Sequence, residues 1–273
     1  VNGQAMQIAA LEAAAPLPAP PGLVFRACDF PRPPRGAPGP GPEACEHDGL
    51  RAELPQALAR AVPGRRAEFL AGRICAMAAL RALTGAPAPV PVGEGRAPVW
   101  PGGVAGSISH SGARALAVVG RAAEYPFLGL DFEPVMEDAR AAPLAPTILT
   151  EGDADHRPAG MAEGAFTTLV FCAKEAVYKA VWPRVRRVVD FHEARVLGLW
   201  PGEGRIELAF DETVRAPGVT GRAFALRYAL GPRACLCLAA EGELLSPPRR
   251  RRAARRDRGH TPRPGIPRTG CDT

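Results

Sequence analysis

A chain of 273 residues, 47% apolar and 23% charged, has the composition of a folded protein with one substantial core, either one domain or two closely packed halves. Its formal charge of +6 is uneven: residues 249–273 hold nine arginines against Asp257 and Asp272, a net +7, which leaves the remainder near −1 and argues against a nucleic-acid-binding fold. No apolar run approaches the roughly 20 residues of a membrane span, the first residues lack the basic start of a signal peptide, and the cysteines at 28, 45, 75, 172, 235, 237 and 271 show no CxxC or zinc spacing. Buried, reduced thiols and a cytoplasmic protein are therefore expected.

Residues 1–45 are rich in Ala, Pro and Gly, and only 25–30 resemble a strand; 31–42 read as loop. A helix is predicted from 63 or 64 to 83, with Gly85 as its C-cap signal and Phe69, Ile74, Met77 and Leu80 as its apolar face. Arg65 and Arg73 on this helix are eight apart, two turns along nearly one side, so both can face one anion; a solvated surface is the alternative. The glycine-rich stretch that follows permits close backbone approach, and Ser107, Ser109 and His110 supply donors near an expected chain reversal. Strands are predicted at 114–120 and 127–133. In the second, Asp131 and Glu133 are two apart and project to the same face, an arrangement that repels unless a cation sits between them. Bound Mg²⁺ typically takes one or two carboxylates with phosphate oxygens and waters; an exposed acidic strand end is the alternative. Residues 134–160 read as loop with a broken helical segment around 148–155.

The next helix is predicted over 164–182 and is expected to stop at Pro183. Phe166, Leu169, Val170, Ala173, Val177 and Ala180 form its apolar stripe, with Lys174, Glu175 and Lys179 lying off most of it. Glu175 and Lys179 are one turn apart on a shared face, compatible with a plain surface ion pair. Yet Lys174 and Lys179 are the only lysines in the chain. Arginine would serve a surface pair equally well, whereas lysine, a compact point charge, suits a phosphate or a leaving-group oxygen. Strands follow at 194–200, 205–210, 222–230 and 234–240, so both halves run from a long helix into strands, without a clear sequence repeat. From 246 onward the Arg- and Pro-rich tail has almost nothing to bury and is expected to be disordered.

Taken together, these stretches resemble the Sfp-type phosphopantetheinyl transferases, most closely the branch that includes the enterobactin synthase component D enzymes. The resemblance covers roughly residues 63–240. It rests on Arg65-Arg-Ala-Glu-Phe-x-x-Gly-Arg73, Arg96-x-Pro-x-Trp-Pro with Gly106-Ser-Ile-Ser-His110, Gly129-Leu-Asp-Phe-Glu133, Phe171-Cys-Ala-Lys-Glu-Ala-Val-Tyr-Lys179 and Asp190-Phe-His-Glu-Ala194, in the family's order. Phe132 is bulkier between the acidic pair than the family pattern leads one to expect, and the first 60 residues and the tail match poorly. The resemblance implies an α+β fold of two similar halves, pseudo-twofold related, with coenzyme A in the cleft between them. It implies transfer of the phosphopantetheine arm to a serine of an apo acyl or peptidyl carrier protein in siderophore, polyketide or nonribosomal peptide synthesis. Mg²⁺ would be held by Asp131, Glu133 and Glu175. Coenzyme A would be held by Arg65, Arg73, Arg96, Ser109, His110, Lys174 and Lys179. Catalysis would fall to Glu175, as metal ligand and base, with Lys179 and Asp131. The expected organisation is a Pro/Gly-rich segment over 1–62, a first half over 63–130, a second half over 131–245, and the tail. A monomer is expected, with no membrane or nucleic-acid partner; Arg184, Arg186 and Arg187 either meet an acidic carrier or form a solvated loop. Two competing readings are a Mg²⁺-dependent nucleotide phosphohydrolase and a nucleic-acid-associated protein acting through the tail.

Overall fold

The structure, a computed structural model, describes residues 6–12, 17, 20–33 and 41–241; the Arg-rich tail lies outside them. In chain order the elements are β1 (Val24–Asp29), β2 (Ala44–His47), β3 (Leu50–Glu53), α1 (Pro63–Thr84), β4 (Val104–Ser111), β5 (Arg114–Arg121) and β6 (Phe127–Pro134). Next come α2 (Asp138–Ala141), α3 (Ala145–Ile148), α4 (Glu163–Val185), β7 (Ala194–Trp200), β8 (Arg205–Phe210), β9 (Ala223–Leu230) and β10 (Ala234–Glu241). The strands form a three-stranded sheet, β1-β5-β4, a five-stranded sheet, β6-β10-β9-β8-β7, and the β2-β3 hairpin, all antiparallel. This is an α+β architecture in which one long helix packs on each of the two larger sheets.

Proline starts α1 where its missing N–H costs nothing, and Gly85 ends it in the left-handed region, its N–H donating to the Arg81 carbonyl at 2.9 Å. Leu70, Ile74, Cys75 and Leu80 of this helix are sealed from solvent against β1 and β5, while Met77 of the predicted face is only half-buried. Helix α4 is buried almost all round its first five turns, over a core that includes Phe166, Leu169, Val177, Ile206, Leu208 and Phe224.

Three expectations are corrected. The β2-β3 hairpin sits where no strand was expected, joined by Asp48 and Gly49, both with positive φ; this is the Asp-Gly signal of a two-residue turn. The stretch holding Ser107, Ser109 and His110, not expected as a strand, is strand β4, which runs up to the chain reversal at Gly112 and Ala113. Helix α4 runs through Pro183 to Val185, because a proline in the last turn forfeits only its own bond to the Lys179 carbonyl.

The two larger sheets meet along β4 and β6. No backbone ladder joins these strands; serine hydroxyls bridge them instead. Ser107 Oγ accepts from the Leu130 N–H at 2.9 Å, and Ser109 Oγ accepts from the Phe132 N–H at 3.1 Å. On the other side of β6, a Cβ on Gly129 would lie within 2.7 Å of the Ala180 nitrogen and inside the Ala176 carbonyl. Only glycine lets α4 approach this closely, and the approach sets Asp131 beside the helix.

Candidate active site

Between the two sheets and their helices lies a cleft of about 1000 Å³, lined from the first half by Arg65, Arg73, Arg96, Ser109 and His110, and from the second by Asp131, Glu133, Glu175 and Lys179. Nine of the ten residues singled out in the sequence thus share one cavity, although they come from five separate stretches of chain.

The acidic side is built on β6 and α4. Asp131 is 2% exposed, and its Oδ1 accepts from Lys179 Nζ at 2.6 Å and from Ser109 Oγ at 2.9 Å. Its Oδ2 is buried with no hydrogen-bond partner. Glu133 accepts from Ser111 Oγ at 2.9 Å. Burial and the neighbouring Asp131 push its carboxyl up to about 7, and burial with Asp131 also raises Glu175 against the opposing pull of Lys179. Burial thus outweighs the one nearby ammonium, Lys179, at both glutamates. Burial works against the Lys179 ammonium, but Asp131 and Glu175 outweigh it and hold that lysine charged. An orphaned carboxylate oxygen on Asp131, in a cleft that Glu133 and Glu175 also line, fits a hard divalent cation held by oxygen ligands.

The basic side is built on α1, β4 and the loop before β4. Along β4 the odd residues face β6 and the even residues face α1. Ile108 Cγ2 would lie 2.9 Å from a Cβ on Gly72, and His110 reaches Arg65. Arg65 Nη1 lies 2.7 Å from His110 Nε2; since guanidinium can only donate, Nε2 is the acceptor and the ring proton is assigned to Nδ1, which faces Glu68 Oε2 at 3.5 Å. Burial first, then Arg65 and Lys179, depress the imidazole to about 4, so His110 is neutral near pH 7. Arg73 is 9% exposed, stacks 4.5 Å over the Phe69 ring and keeps a buried Nε without a partner. Arg96 stands exposed at the rim with φ +65°, next to Gly95, where a Cβ would collide with the Trp182 ring.

Lys174 does not join them. Its ammonium is 3% exposed and donates to Asp153 Oδ2 at 2.8 Å, the Ile148 carbonyl at 2.8 Å and the Phe191 carbonyl at 3.0 Å, which uses all three protons. Burial alone would raise the Asp153 carboxyl, but Lys174 and the Val196 and Thr150 amides hold it below its usual range. This buried pair ties the 148–156 segment and the start of β7 to α4, and the sequence offered no sign of it because the partners stand 21 residues apart.

Sequence reasoning also passed over four lining residues. Glu68 Oε1 pairs with Arg32 at 3.2 Å and its Oε2 with Arg65 at 3.4 Å, so it orients the cationic wall. Trp100, packed where a Cβ on Gly106 would sit, gives the cleft an apolar floor together with Tyr178 and Trp182, whose rings meet edge-on at 5.8 Å. The Trp182 indole N–H is buried without an acceptor. The i, i+4 spacing of Tyr178 and Trp182 was the available signal.

A cleft with cations on one wall, carboxylates on the other and an aromatic floor is suited to a polyphosphate with an attached ring or chain. Comparison with known proteins is consistent with that shape. The 4'-phosphopantetheinyl transferase N-terminal domain matches residues 54–120, and the 4'-phosphopantetheinyl transferase superfamily matches residues 127–227. The phosphopantetheinyl transferase Svp of Streptomyces mobaraensis is 38% identical over 184 residues, 64% of this chain and 71% of its own length. This chain belongs to the phosphopantetheinyl transferase superfamily. Among other members, enterobactin synthase component D of Salmonella typhi is 40% identical over 158 residues, 56% of this chain and 64% of its own. The transferase Npt of Nocardia iowensis is 34% identical over 146 residues, 51% of this chain and 62% of its own. The chain therefore spans a little under two thirds of the length of these last two relatives. Both matched regions supply the cleft, one on each wall.

Proposed function

We propose that this protein transfers the 4'-phosphopantetheine arm of coenzyme A to a serine hydroxyl of an apo acyl or peptidyl carrier protein, with Mg²⁺ as cofactor. The observation that carries this reading is the partnerless, buried Oδ2 of Asp131 in a cleft that Glu133, Glu175 and three arginines also line. Asp131, Glu133 and Glu175 would hold Mg²⁺, which when bound polarises the attacked phosphorus and offsets charge on the pyrophosphate. Arg65, Arg73 and Arg96 supply the cations that a pyrophosphate and a separate ribose phosphate require. His110, neutral with its Nε2 turned to Arg65, orients that arginine and can donate from Nδ1. Ser109, whose hydroxyl holds Asp131, keeps the carboxylate aimed at the cleft.

Glu175, its carboxyl raised by burial, is suited to take the proton of the carrier serine directly or through a water. As the serine oxygen bonds to phosphorus, the pyrophosphate P–O bond breaks and adenosine 3',5'-bisphosphate leaves. Lys179, fixed by Asp131, offsets the charge on the departing phosphate. Lys174, the other lysine of the motif, holds the helix in position and stays out of the chemistry.

Free thiols at every described cysteine support a reducing, cytoplasmic setting. Among the described residues, no helix is long and apolar enough to cross a membrane. The division into a first half over 63–130 and a second over 131–245, with 1–62 packed on the first, draws support from β1 completing the first sheet, whereas β6, paired with β10 from Phe127 onward, shifts the boundary to just before Phe127.

The test is the intact mass of an apo carrier protein after incubation with coenzyme A, Mg²⁺ and this protein. A gain of one phosphopantetheine that Glu175→Gln abolishes is the expected result. No gain on several carriers, together with no binding of coenzyme A, overturns the reading. Phosphate release from the nucleotide without any carrier points to a hydrolase instead.

A further inference from the structure

Directly inside the acidic wall lies a second set of ligands that the proposed reaction does not use. Cys172 on α4 and Cys235 and Cys237 on β10 are fully buried, and their three sulfurs lie within 4.8 Å of one another. The arrangement follows the carboxylates in register. Cys237 pairs with Asp131 and Cys235 with Glu133 across the β6–β10 ladder, while Cys172 precedes Glu175 by three residues on the same helix. Cross-strand partners share a face, so Cys237 and Cys235 stand beside Asp131 and Glu133 on the sheet, about one strand spacing of 4.8 Å away, with Cys172 and Glu175 one turn apart on α4 above them.

We propose that Cys172, Cys235 and Cys237 form a second metal site, for a thiophilic divalent cation of the zinc and cadmium class. Zinc–sulfur bonds of about 2.3 Å place tetrahedral thiolates about 3.8 Å apart, so closure asks for a contraction of at most about 1 Å from the spacing in the free protein. On binding, each thiol gives its proton to solvent and the cation gains three sulfur bonds, leaving a complex of net charge −1 and changing no oxidation state. The nearest oxygen for a fourth position is the Asp131 carbonyl, which already accepts from Cys172 Sγ at 3.2 Å. Hard and soft ions would be sorted by ligand type, Mg²⁺ to the carboxylates and the thiophilic ion to the sulfurs.

The first half supplies the contrast. Cys28 and Cys75 also approach closely, with sulfurs 3.4 Å apart. Cys75 Sγ also lies 3.7 Å from the Ala115 carbonyl, and among the described residues no third metal-binding side chain completes the set. That pair serves as the internal control.

Cadmium is the probe, because its bonds to thiolate absorb in the near ultraviolet and Mg²⁺ does not. The full chain carrying Cys271→Ser is incubated with Cd²⁺ in excess Mg²⁺, desalted, and read for bound metal and for charge-transfer absorbance. One cadmium per chain with the absorbance of three thiolate bonds is expected. Both should survive Cys28→Ser with Cys75→Ser, and be lost in Cys237→Ser and in Cys235→Ser. Far-ultraviolet circular dichroism reports whether each variant folds. No retained cadmium in the parent protein overturns the site, as does retention in a folded Cys237→Ser variant or loss in the Cys28→Ser, Cys75→Ser protein. None of these readouts depends on transferase activity, so this site and the proposed reaction fail separately.

Discussion

Helices α1 and α4 have nearly the same length, 22 and 23 residues, and each lies on an antiparallel sheet, yet they face the cleft with opposite chemistry. Helix α1 presents Arg65 and Arg73, with Glu68 to orient them; α4 presents Glu175 and Lys179 beside the Asp131–Glu133 pair of β6. The charged groups of the first half are arginines, which cannot exchange protons near neutral pH. The second places a charged Lys179 beside Glu133 and Glu175, whose proton affinity burial has raised. Under the proposed reaction the difference amounts to a division of labour: the first half would bind, and the second half would both bind and move protons.

The sharpest way to break this comparison is at the contact that builds the acidic wall. Gly129→Ala drives a methyl group into the backbone of α4. A loss of about 3 kcal/mol is expected, the upper end for overpacking, read as a lower urea midpoint, whereas Gly72→Ala in α1 meets only the tip of Ile108 and costs less. Asp131→Asn should fold and bind coenzyme A yet lower kcat by roughly 10²–10³-fold, the range for removing one electrostatic stabiliser of a transition state. Steady-state kinetics with a carrier protein would expose the error if kcat were unchanged.

On the other wall, Arg73→Ala should weaken coenzyme A binding by roughly 10–100-fold, corresponding to the loss of a hydrogen bond from a charged group, with a smaller effect on kcat. Calorimetric titration of coenzyme A checks this, and an equal fall in kcat would erase the division between the halves. His110 gives a pH-dependent handle. Its folded value of about 4 lies below the unfolded value near 6.5. Neutral His110 thus contributes stability that is fully present above pH 6.5 and is lost as pH falls toward 4. The contribution is about 3 kcal/mol at most, and His110→Gln should flatten the melting temperature across that window. The smallest effect belongs to Glu68→Gln. Its charge orients Arg65 without touching ligand in the proposed reaction, so a rise of roughly threefold in the Kd for coenzyme A is expected, within the range for a partly exposed ion pair.

Periodicity made β5 to β10 legible nearly to the residue, because each alternates or runs apolar between clear turns, and proline and glycine marked both ends of α1. Strand β4 was hidden because three of its four odd positions are serines, two of which bond to β6 backbone amides through their hydroxyls in place of a backbone ladder. The β2–β3 hairpin carried its Asp-Gly signal inside a Pro- and Gly-rich region that masked it.

By itself the sequence determined which residues share a local face, since helix and strand geometry convert spacing into direction: Arg65 with Arg73, Asp131 with Glu133, Glu175 with Lys179. Only the tertiary structure decided which of those faces meet. It turned Lys179 to Asp131 and Lys174 to Asp153, and it set three distant cysteines behind three carboxylates. The physical reason is that spacing acts within one element, whereas a charge's partner and a thiol's neighbours come from long-range packing between elements, which no local pattern encodes.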